Sequence, residues 1–163
     1  MERKVNTGRQ EASDMAFLRE VAMAAREEKA DMMHYTHAAI LAAPKESAAA
    51  RLFDELARDE LGHFEELGQL LLYLDKSLPQ SARGAWHNVF FAKNPHTGQR
   101  KPQDTLAFIK HAITGEEAGA ANYKRLAGLA QDDTAHKLLL RLSADESGHA
   151  AALNGLLERM ARS

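Results

Sequence analysis

The sequence lacks cysteine altogether. This absence excludes disulfide bonds, iron–sulfur clusters and zinc sites built from thiolates. Long hydrophobic runs are also missing: the longest alanine-rich apolar run covers residues 38–43, whereas a helix that spans a bilayer needs about 20 apolar residues. Residues 1–8 are polar and do not resemble a signal peptide. We therefore expect a cytoplasmic protein with no membrane partner.

A strong charge of one sign is missing as well. The formal net charge is −2, from 21 basic and 23 acidic residues, so we expect no nucleic-acid partner. The chain has 163 residues, of which 45% are hydrophobic. That length and composition suit one domain with a sizeable core.

Apolar residues recur at alternating steps of three and four through most of the chain, a spacing that keeps one stripe of each helix facing a partner. The pattern predicts four helices, near residues 13–42, 46–75, 103–130 and 133–161. The predicted fold class is therefore all-α, a four-helix bundle with left-handed packing. We expect the domain to cover residues 13–163, with residues 1–12 as an N-terminal extension.

The connections between these helices predict the topology. The first pair and the last pair have short connections, so each pair forms an antiparallel hairpin. Residues 76–102 form a long crossover, which can return the chain to the far end of the bundle and leave the second and third predicted helices parallel. Within it, Trp86, Val89, Phe90 and Phe91 are too apolar for a free loop. We expect them to pack the crossover onto the bundle, and a subunit interface is the alternative.

One motif occurs twice in the chain. Residues 59–63 (DELGH) recur as residues 145–149 (DESGH). Each copy follows a helix in which a Glu stands seven residues before a Tyr, as Glu28…Tyr35 and as Glu116…Tyr123. The repeat duplicates residue types that bind metals, so it bears on chemistry as well as on architecture.

Six ionisable residues from these motifs interrupt the apolar stripes of all four predicted helices: Glu28, Glu60, His63, Glu116, Glu146 and His149. Buried carboxylates without partners are strongly disfavoured, and four close together repel one another. Two divalent cations would balance the four carboxylates. A single Glu-x-x-His is usually a surface pair, but two copies in the core stripe predict a dinuclear metal site. Oxygen and nitrogen ligands suit iron or manganese, and zinc is a further option.

Neighbouring residues have roles that the pattern leaves open. Tyr35 and Tyr123 are expected in the core, with hydroxyls that bond a ligand carboxylate or a water. Asp59 and Asp145 point away from the stripes. They are either solvated or accept a hydrogen bond from a ligand histidine.

Four glycines surround the predicted ligands: Gly62, Gly115, Gly119 and Gly148. Glycine costs the interior of a helix about 1 kcal/mol relative to alanine. These residues either leave space beside the metals for a small oxidant or allow close packing of helices.

These motifs resemble those of the ferritin-like di-iron carboxylate superfamily, and within it the rubrerythrin group. The resemblance covers about residues 13–161 and depends on the Glu-x6-Tyr pair and the duplicated Glu-x-x-His. It implies that Glu60 and Glu146 bridge two irons, whereas the other four ligands each bind one iron.

Three departures qualify this resemblance. Rubrerythrins carry a rubredoxin domain with four cysteines, and this sequence has none, so we expect a separate electron donor. Rubrerythrins resemble one another in a second Glu three residues after the ligand of the third helix, where this chain has Gly119. Haem-binding bacterioferritins have Met just after the second-helix Glu; Leu61 stands there, so we expect no haem.

The sequence thus predicts a non-haem di-iron redox protein whose diferrous centre reacts with peroxide or dioxygen. The expected role is oxidative-stress defence or iron oxidation, as an oxidoreductase of the peroxidase or ferroxidase type. Ferritin-type iron storage and oxygenation of an organic substrate are the alternatives. We expect a homodimer.

Overall fold

The computed structural model describes residues 2–92 and 104–162. Five helices lie within these ranges: α1 (Glu2–Ala42), α2 (Ser47–Asp75), α3 (His87–Phe90), α4 (Thr105–Leu129) and α5 (Asp133–Ala161). The four long helices form a bundle, so the predicted all-α fold is confirmed. Helix α1 packs along α2, and α4 along α5. No helix in the described ranges has an apolar stretch long enough to cross a membrane.

Two apolar cores divide the bundle along its length. The crossover-side core includes Leu18, Val21, Leu67, Leu71, Leu126, Leu139, Leu142 and Trp86. The distal core includes Tyr35, Ala42, Phe53, Leu56, Ile109, Leu153 and Leu156. The crossover-side core thus takes the early parts of α1 and α5 and the late parts of α2 and α4. It follows that α2 and α4 run parallel, as the long crossover predicted.

The observed helix ends differ from the predicted ones mainly at the N-terminus. Helix α1 begins at Glu2 and not near residue 13, so Ser13 and Asp14 lie inside the helix and do not cap it. No proline interrupts the preceding residues, which are mostly good helix formers. The early turn is also held by Gln10, whose Nε2 lies 2.9 Å from Asp14 Oδ1 and 2.9 Å from Gln131 Oε1. A contact with the α4–α5 turn cannot be read from the local sequence.

Two aspartates cap the helices of the second hairpin. Asp104 accepts a hydrogen bond from the backbone N–H of Ala107 at the start of α4. Asp132 accepts one from Ala135 at the start of α5. Each bond satisfies a backbone N–H that the helix leaves without a partner.

The crossover is anchored to the end of α2 by one carboxylate. Asp75 Oδ1 accepts hydrogen bonds from the backbone N–H of Gly84, at 2.8 Å, and from Trp86 Nε1, at 3.0 Å. Gly84 has a φ of 74°, in the left-handed region that favours glycine. The turn therefore positions the indole ring for burial.

The apolar residues of the crossover do not all behave as predicted. Trp86 is buried in the crossover-side core, and Val89 and Phe90 pack against it. Phe91 is 75% exposed, so the prediction that it packs on the bundle is wrong. At the end of α3, Phe90 packs its ring against the core. The next residue, Phe91, therefore points outward. The part of the predicted crossover from residue 93 onward lies outside the described residues.

Replacing Trp86 with alanine should destabilise the protein by about 3–5 kcal/mol, because it empties a large buried volume and removes a hydrogen bond to Asp75. Urea unfolding measures the change. Phe91→Ala is the matched control and should stay within about 0.5 kcal/mol of the original protein. Similar losses for both variants would show that the crossover is not packed as described.

Candidate metal centre

All six predicted ligands lie between the two cores, at the middle of the bundle. Each is buried, and the most exposed of them, His149, is 8% exposed. Apolar residues pack on both sides of these side chains along the bundle. Four helices therefore enclose four carboxylates and two imidazoles in one small volume.

The six residues form two overlapping groups. Glu28, Glu60, His63 and Glu146 make up the first group; Glu60, Glu116, Glu146 and His149 make up the second. In each group, one ligand atom from every residue lies within 4.8 Å of the others. Glu60 and Glu146 belong to both groups, so they are placed to bridge two ions.

The imidazole of His63 faces the first group through a single nitrogen. Its Nδ1 lies 3.0 Å from Glu146 Oε1, 3.1 Å from Glu60 Oε2 and 3.4 Å from Glu28 Oε2. A ring nitrogen carries at most one hydrogen and cannot satisfy three carboxylates. Convergence of this kind suits ligands that surround a cation.

His149 occupies the equivalent place in the second group. Its Nδ1 lies 3.1 Å from Glu60 Oε1 and 3.2 Å from Glu116 Oε2. The rings of His149 and His63 stack with centroids 5.5 Å apart. The duplicated motif thus produces a pair of sites related by an approximate two-fold axis.

Within the cluster, Glu60 Oε1 and Glu146 Oε1 make no hydrogen bond, although each lies close to an imidazole Nδ1, at 3.1 Å from His149 and 3.0 Å from His63. A buried charged oxygen without a hydrogen bond is costly. Both belong to the carboxylates that the two groups share, and both face the interior of the cluster. A pair of divalent cations would satisfy them, so the residues present fit a dinuclear metal site.

Two tyrosines connect the ligand set across the hairpins. The hydroxyl of Tyr35 on α1 donates to Glu116 Oε1 on α4, and that of Tyr123 on α4 donates to Glu28 Oε1 on α1. Burial, followed by the neighbouring carboxylates, raises the pKa of both phenols. The hydroxyls therefore keep their protons and hold the two carboxylates in position.

Without cations, protons reduce the negative charge of the cluster. Burial disfavours the imidazolium form, but contacts with the surrounding glutamates outweigh it and raise the pKa of His63 to about 12 and that of His149 to about 10. Burial also raises the pKa of Glu28 and brings that of Glu146 to about 8. For Glu60, contacts with the two imidazoles outweigh burial and lower the pKa to about 2.

A cavity between α1 and α4 reaches the cluster from the carboxylate side. Its volume is about 580 Å³, and it touches Glu28, Glu116 and Glu146. Gly115 and Gly119 form part of its wall. This cavity offers a small molecule a route to the ligand oxygens.

A second opening lies between α2 and α5. It has a volume of about 640 Å³ and reaches both imidazoles, with Gly62 and Gly148 in its wall. A Cβ atom added at Gly62, Gly115 or Gly148 would meet no other atom within 4 Å. These three glycines therefore leave open space and do not serve close packing of helices.

Gly119 differs from the other three glycines. A Cβ atom there would lie 3.1 Å from Glu146 Oε2, which is tighter than an ordinary contact. The glycine leaves room for a ligand carboxylate and does not serve close packing of two backbones.

The two aspartates of the repeated motif each face the imidazole of the opposite hairpin. Asp59 Oδ2 lies 3.4 Å from His149 Nε2, and Asp145 Oδ2 lies 3.7 Å from His63 Nε2. The sequence left open whether these residues contact the histidines. A carboxylate beside Nε2 favours the imidazole tautomer that carries its hydrogen on Nε2, and this tautomer leaves the Nδ1 lone pair for a metal.

Sequence reasoning missed one residue beside this pair, Arg141. Its guanidinium lies 2.8 Å from Asp145 Oδ2 and also contacts Glu66. The spacing of four residues from Arg141 to Asp145 was a signal for the first contact. The second depends on how closely α5 approaches α2.

A comparison with protein families gives one match. The model of the ferritin-like domain matches residues 21–163, which include all six candidate ligands. Comparisons with curated proteins and with solved structures gave no match.

Metal binding should release protons, because His63, His149 and Glu146, whose pKa values are raised to about 12, 10 and 8, hold protons at neutral pH that a cation must displace. Apparent affinity should therefore rise with pH through the neutral range and on past about pH 8, where Glu146 loses its proton before the imidazoles do. Calorimetry in buffers that differ in ionisation enthalpy measures the release. Heats that do not depend on the buffer would contradict a protonated cluster.

Proposed function

The chain belongs to the ferritin-like domain family, and on that premise we propose that it is a non-haem di-iron protein of the rubrerythrin-like type. In this proposal the reduced iron pair reacts with peroxide or dioxygen. The observation that carries it is the pair of carboxylates shared by both ligand groups, Glu60 and Glu146, each of which has one oxygen without a hydrogen bond inside the cluster. The ligand set suits iron, manganese and zinc, but zinc has no redox chemistry. Iron is proposed over manganese because the motifs resemble those of di-iron rubrerythrins.

When bound, the iron pair supplies two electrons, which with two protons convert one hydrogen peroxide to two waters. The chain itself supplies geometry and a dry environment. Glu60 and Glu146, which belong to both ligand groups, would hold both ions. The phenol hydroxyls of Tyr35 and Tyr123 orient the outer carboxylates, so that these ligands need not reorganise as the charge of the centre changes.

The cavity between α1 and α4 supports access by a small oxidant, because it reaches the ligand oxygens beside Gly115 and Gly119. The cores on either side of the cluster limit entry by larger molecules. The sequence holds no cysteine and hence no rubredoxin-type iron site. We therefore propose that a separate donor returns electrons to the centre.

The same cavity favours a second candidate function, oxygenation of an organic substrate. Its volume of about 580 Å³ lies within the usual range of small-molecule sites. Met23, Ala24, Phe108 and Ala112 contribute an apolar part of its wall. A catalytic amount of protein that consumes dioxygen only when an apolar substrate is added would favour this function over peroxide reduction.

Anaerobic loading with Fe(II) tests the main proposal. We expect about two irons per chain, bound within one bundle, and rapid oxidation when peroxide or dioxygen is added. Size-exclusion chromatography of the iron-loaded protein distinguishes a redox protein from a storage shell, because a dimer cannot enclose a mineral core. Binding of a single iron, or of iron only between chains, would reject the site.

The substitution Gly119→Glu tests the choice of oxidant. Gly119 stands where rubrerythrins resemble one another in carrying an extra carboxylate, one helical turn from Glu116. If that carboxylate favours peroxide, the unaltered protein should show a weak preference, and Gly119→Glu should raise the rate with peroxide relative to that with dioxygen. Stopped-flow absorbance of the diferrous protein measures both rates.

Gly119→Ala is the matched control for that variant, since it adds the Cβ atom 3.1 Å from Glu146 Oε2 without adding a charge. It should leave the ratio of the two rates unchanged. A strong preference for peroxide in the unaltered protein that neither variant changes would contradict this account of Gly119.

A further inference from the structure

The ligand set repeats between the two hairpins, but its surroundings do not. In the register that aligns His63 with His149, the residue that corresponds to Arg141 is Glu55, and the residue that corresponds to Glu66 is Ala152. Only one of the two motif aspartates, Asp145, therefore has an arginine four residues before it on its own helix. The chain places opposite charges at equivalent positions of an otherwise repeated site.

On the side of His63, one oxygen serves two partners. Asp145 Oδ2 lies 2.8 Å from a terminal nitrogen of Arg141 and 3.7 Å from His63 Nε2. The other terminal nitrogen of Arg141 contacts Glu66, which fixes the guanidinium between α2 and α5. The shorter contact shows that Asp145 interacts more closely with the arginine than with the imidazole.

On the side of His149, the corresponding aspartate has no such competitor. Asp59 Oδ2 lies 3.4 Å from His149 Nε2, and among the side chains that the structure describes His149 is the only basic group within ion-pair distance of Asp59. The neighbouring Arg58 instead contacts Asp54. Asp59 is thus available to accept the hydrogen of His149 Nε2.

These differences affect the strength of the two imidazole ligands. An imidazole that donates its outer N–H to a carboxylate binds a metal better through its other nitrogen, and loss of such a partner typically costs about 10- to 100-fold in affinity. Asp59 is 60% exposed, and water weakens its contact. The positive charge of Arg141 also weakens metal binding beside His63, because it lies on that side of the cluster and repels a cation there.

We propose that Arg141 makes the two metal positions unequal, so that the ion beside His63 binds more weakly than the ion beside His149. Arg141 acts here as a positioning residue, through Asp145. The inference rests on the proposed dinuclear site and adds to it an order of events: the position beside His149 fills first, and the position beside His63 fills last and empties first. The groove between α2 and α5, which Arg141 and Asp145 line, reaches both imidazoles.

A double-mutant cycle between Arg141 and Asp145 tests the proposal, with Co(II) as the probe. The proteins to compare are the unaltered chain, Arg141→Gln, Asp145→Asn and the double variant, each titrated with Co(II) and followed by visible absorption. Arg141→Gln should strengthen the weaker step by about tenfold, because Asp145 becomes available to His63. Asp145→Asn should change the weaker step little in the unaltered chain but weaken it by about tenfold in the Arg141→Gln background.

Arg58→Gln is the matched control, since it removes one positive charge from the same groove without touching Asp145. It should leave both steps unchanged. Equal effects of Arg58→Gln and Arg141→Gln would show that only the net charge of the groove matters and would overturn the proposal. Additive effects of Arg141→Gln and Asp145→Asn would overturn it as well, because they would show no coupling between the two residues.

A spectroscopic readout separates this role from a merely structural one. Mössbauer spectra of the iron-loaded protein should show two distinct environments that become more alike in Arg141→Gln, whereas a change in overall stability would not bring them together. Failure of the unaltered chain to bind two Co(II) ions would reject the proposed metal site itself. If two ions bind and neither their affinities nor their spectra change in Arg141→Gln, only the present inference is overturned.

Discussion

The burial of four carboxylates at the centre of the bundle is the constraint on which the rest of the structure depends. Each is at most 6% exposed, and carboxylates in such a place must be protonated, hydrogen-bonded or bound to cations. The described side chains that contact these carboxylates include two phenol hydroxyls and two imidazoles, and burial raises the pKa of Glu28 and Glu146. Glu60 and Glu146 each still have one oxygen without a hydrogen bond. The cluster therefore fits a pair of cations, whose binding would stabilise the fold through mass action.

The same cluster connects the two hairpins. Each hairpin packs internally through its own apolar stripe, but Tyr35 and Tyr123 donate across the boundary between α1 and α4, and the motif aspartates face imidazoles across the boundary between α2 and α5. Neither hairpin contains a complete metal position, because each group takes a shared glutamate from both. Because residues of both hairpins must meet at the cluster, the cluster also fixes the register of one hairpin against the other. The two apolar cores above and below the cluster then hold that register while excluding water.

Much of this arrangement was predictable from sequence because it follows from helical spacing alone. Residues at steps of three and four share a face, so the six ligands and the two tyrosines could be placed in one seam before any distance was known. What the sequence did not predict depends on contacts between distant segments. The extension of α1 to Glu2 accompanies a contact of Gln10 with Gln131. The exposure of Phe91 depends on how the short helix α3 turns. The position of Arg141 between Asp145 and Glu66 depends on the approach of α5 to α2, which periodicity does not define.

A duplicated ligand set in unequal surroundings has a chemical consequence. Two identical positions would have equal intrinsic affinities for their ions, and both would change charge in the same environment. The carboxylate side opens to a cavity between α1 and α4 whose wall has apolar and acidic residues, whereas the imidazole side opens to a groove between α2 and α5 that contains acidic residues and two arginines, Arg58 and Arg141. Of these two arginines, Arg141 is the one that contacts an aspartate of the repeated motif. In the function that we propose, a small oxidant would enter through the cavity between α1 and α4, where Gly115 and Gly119 lie beside the ligand carboxylates. The groove between α2 and α5 would then affect the ligands from the other side, through the contacts of its aspartates with the two imidazoles.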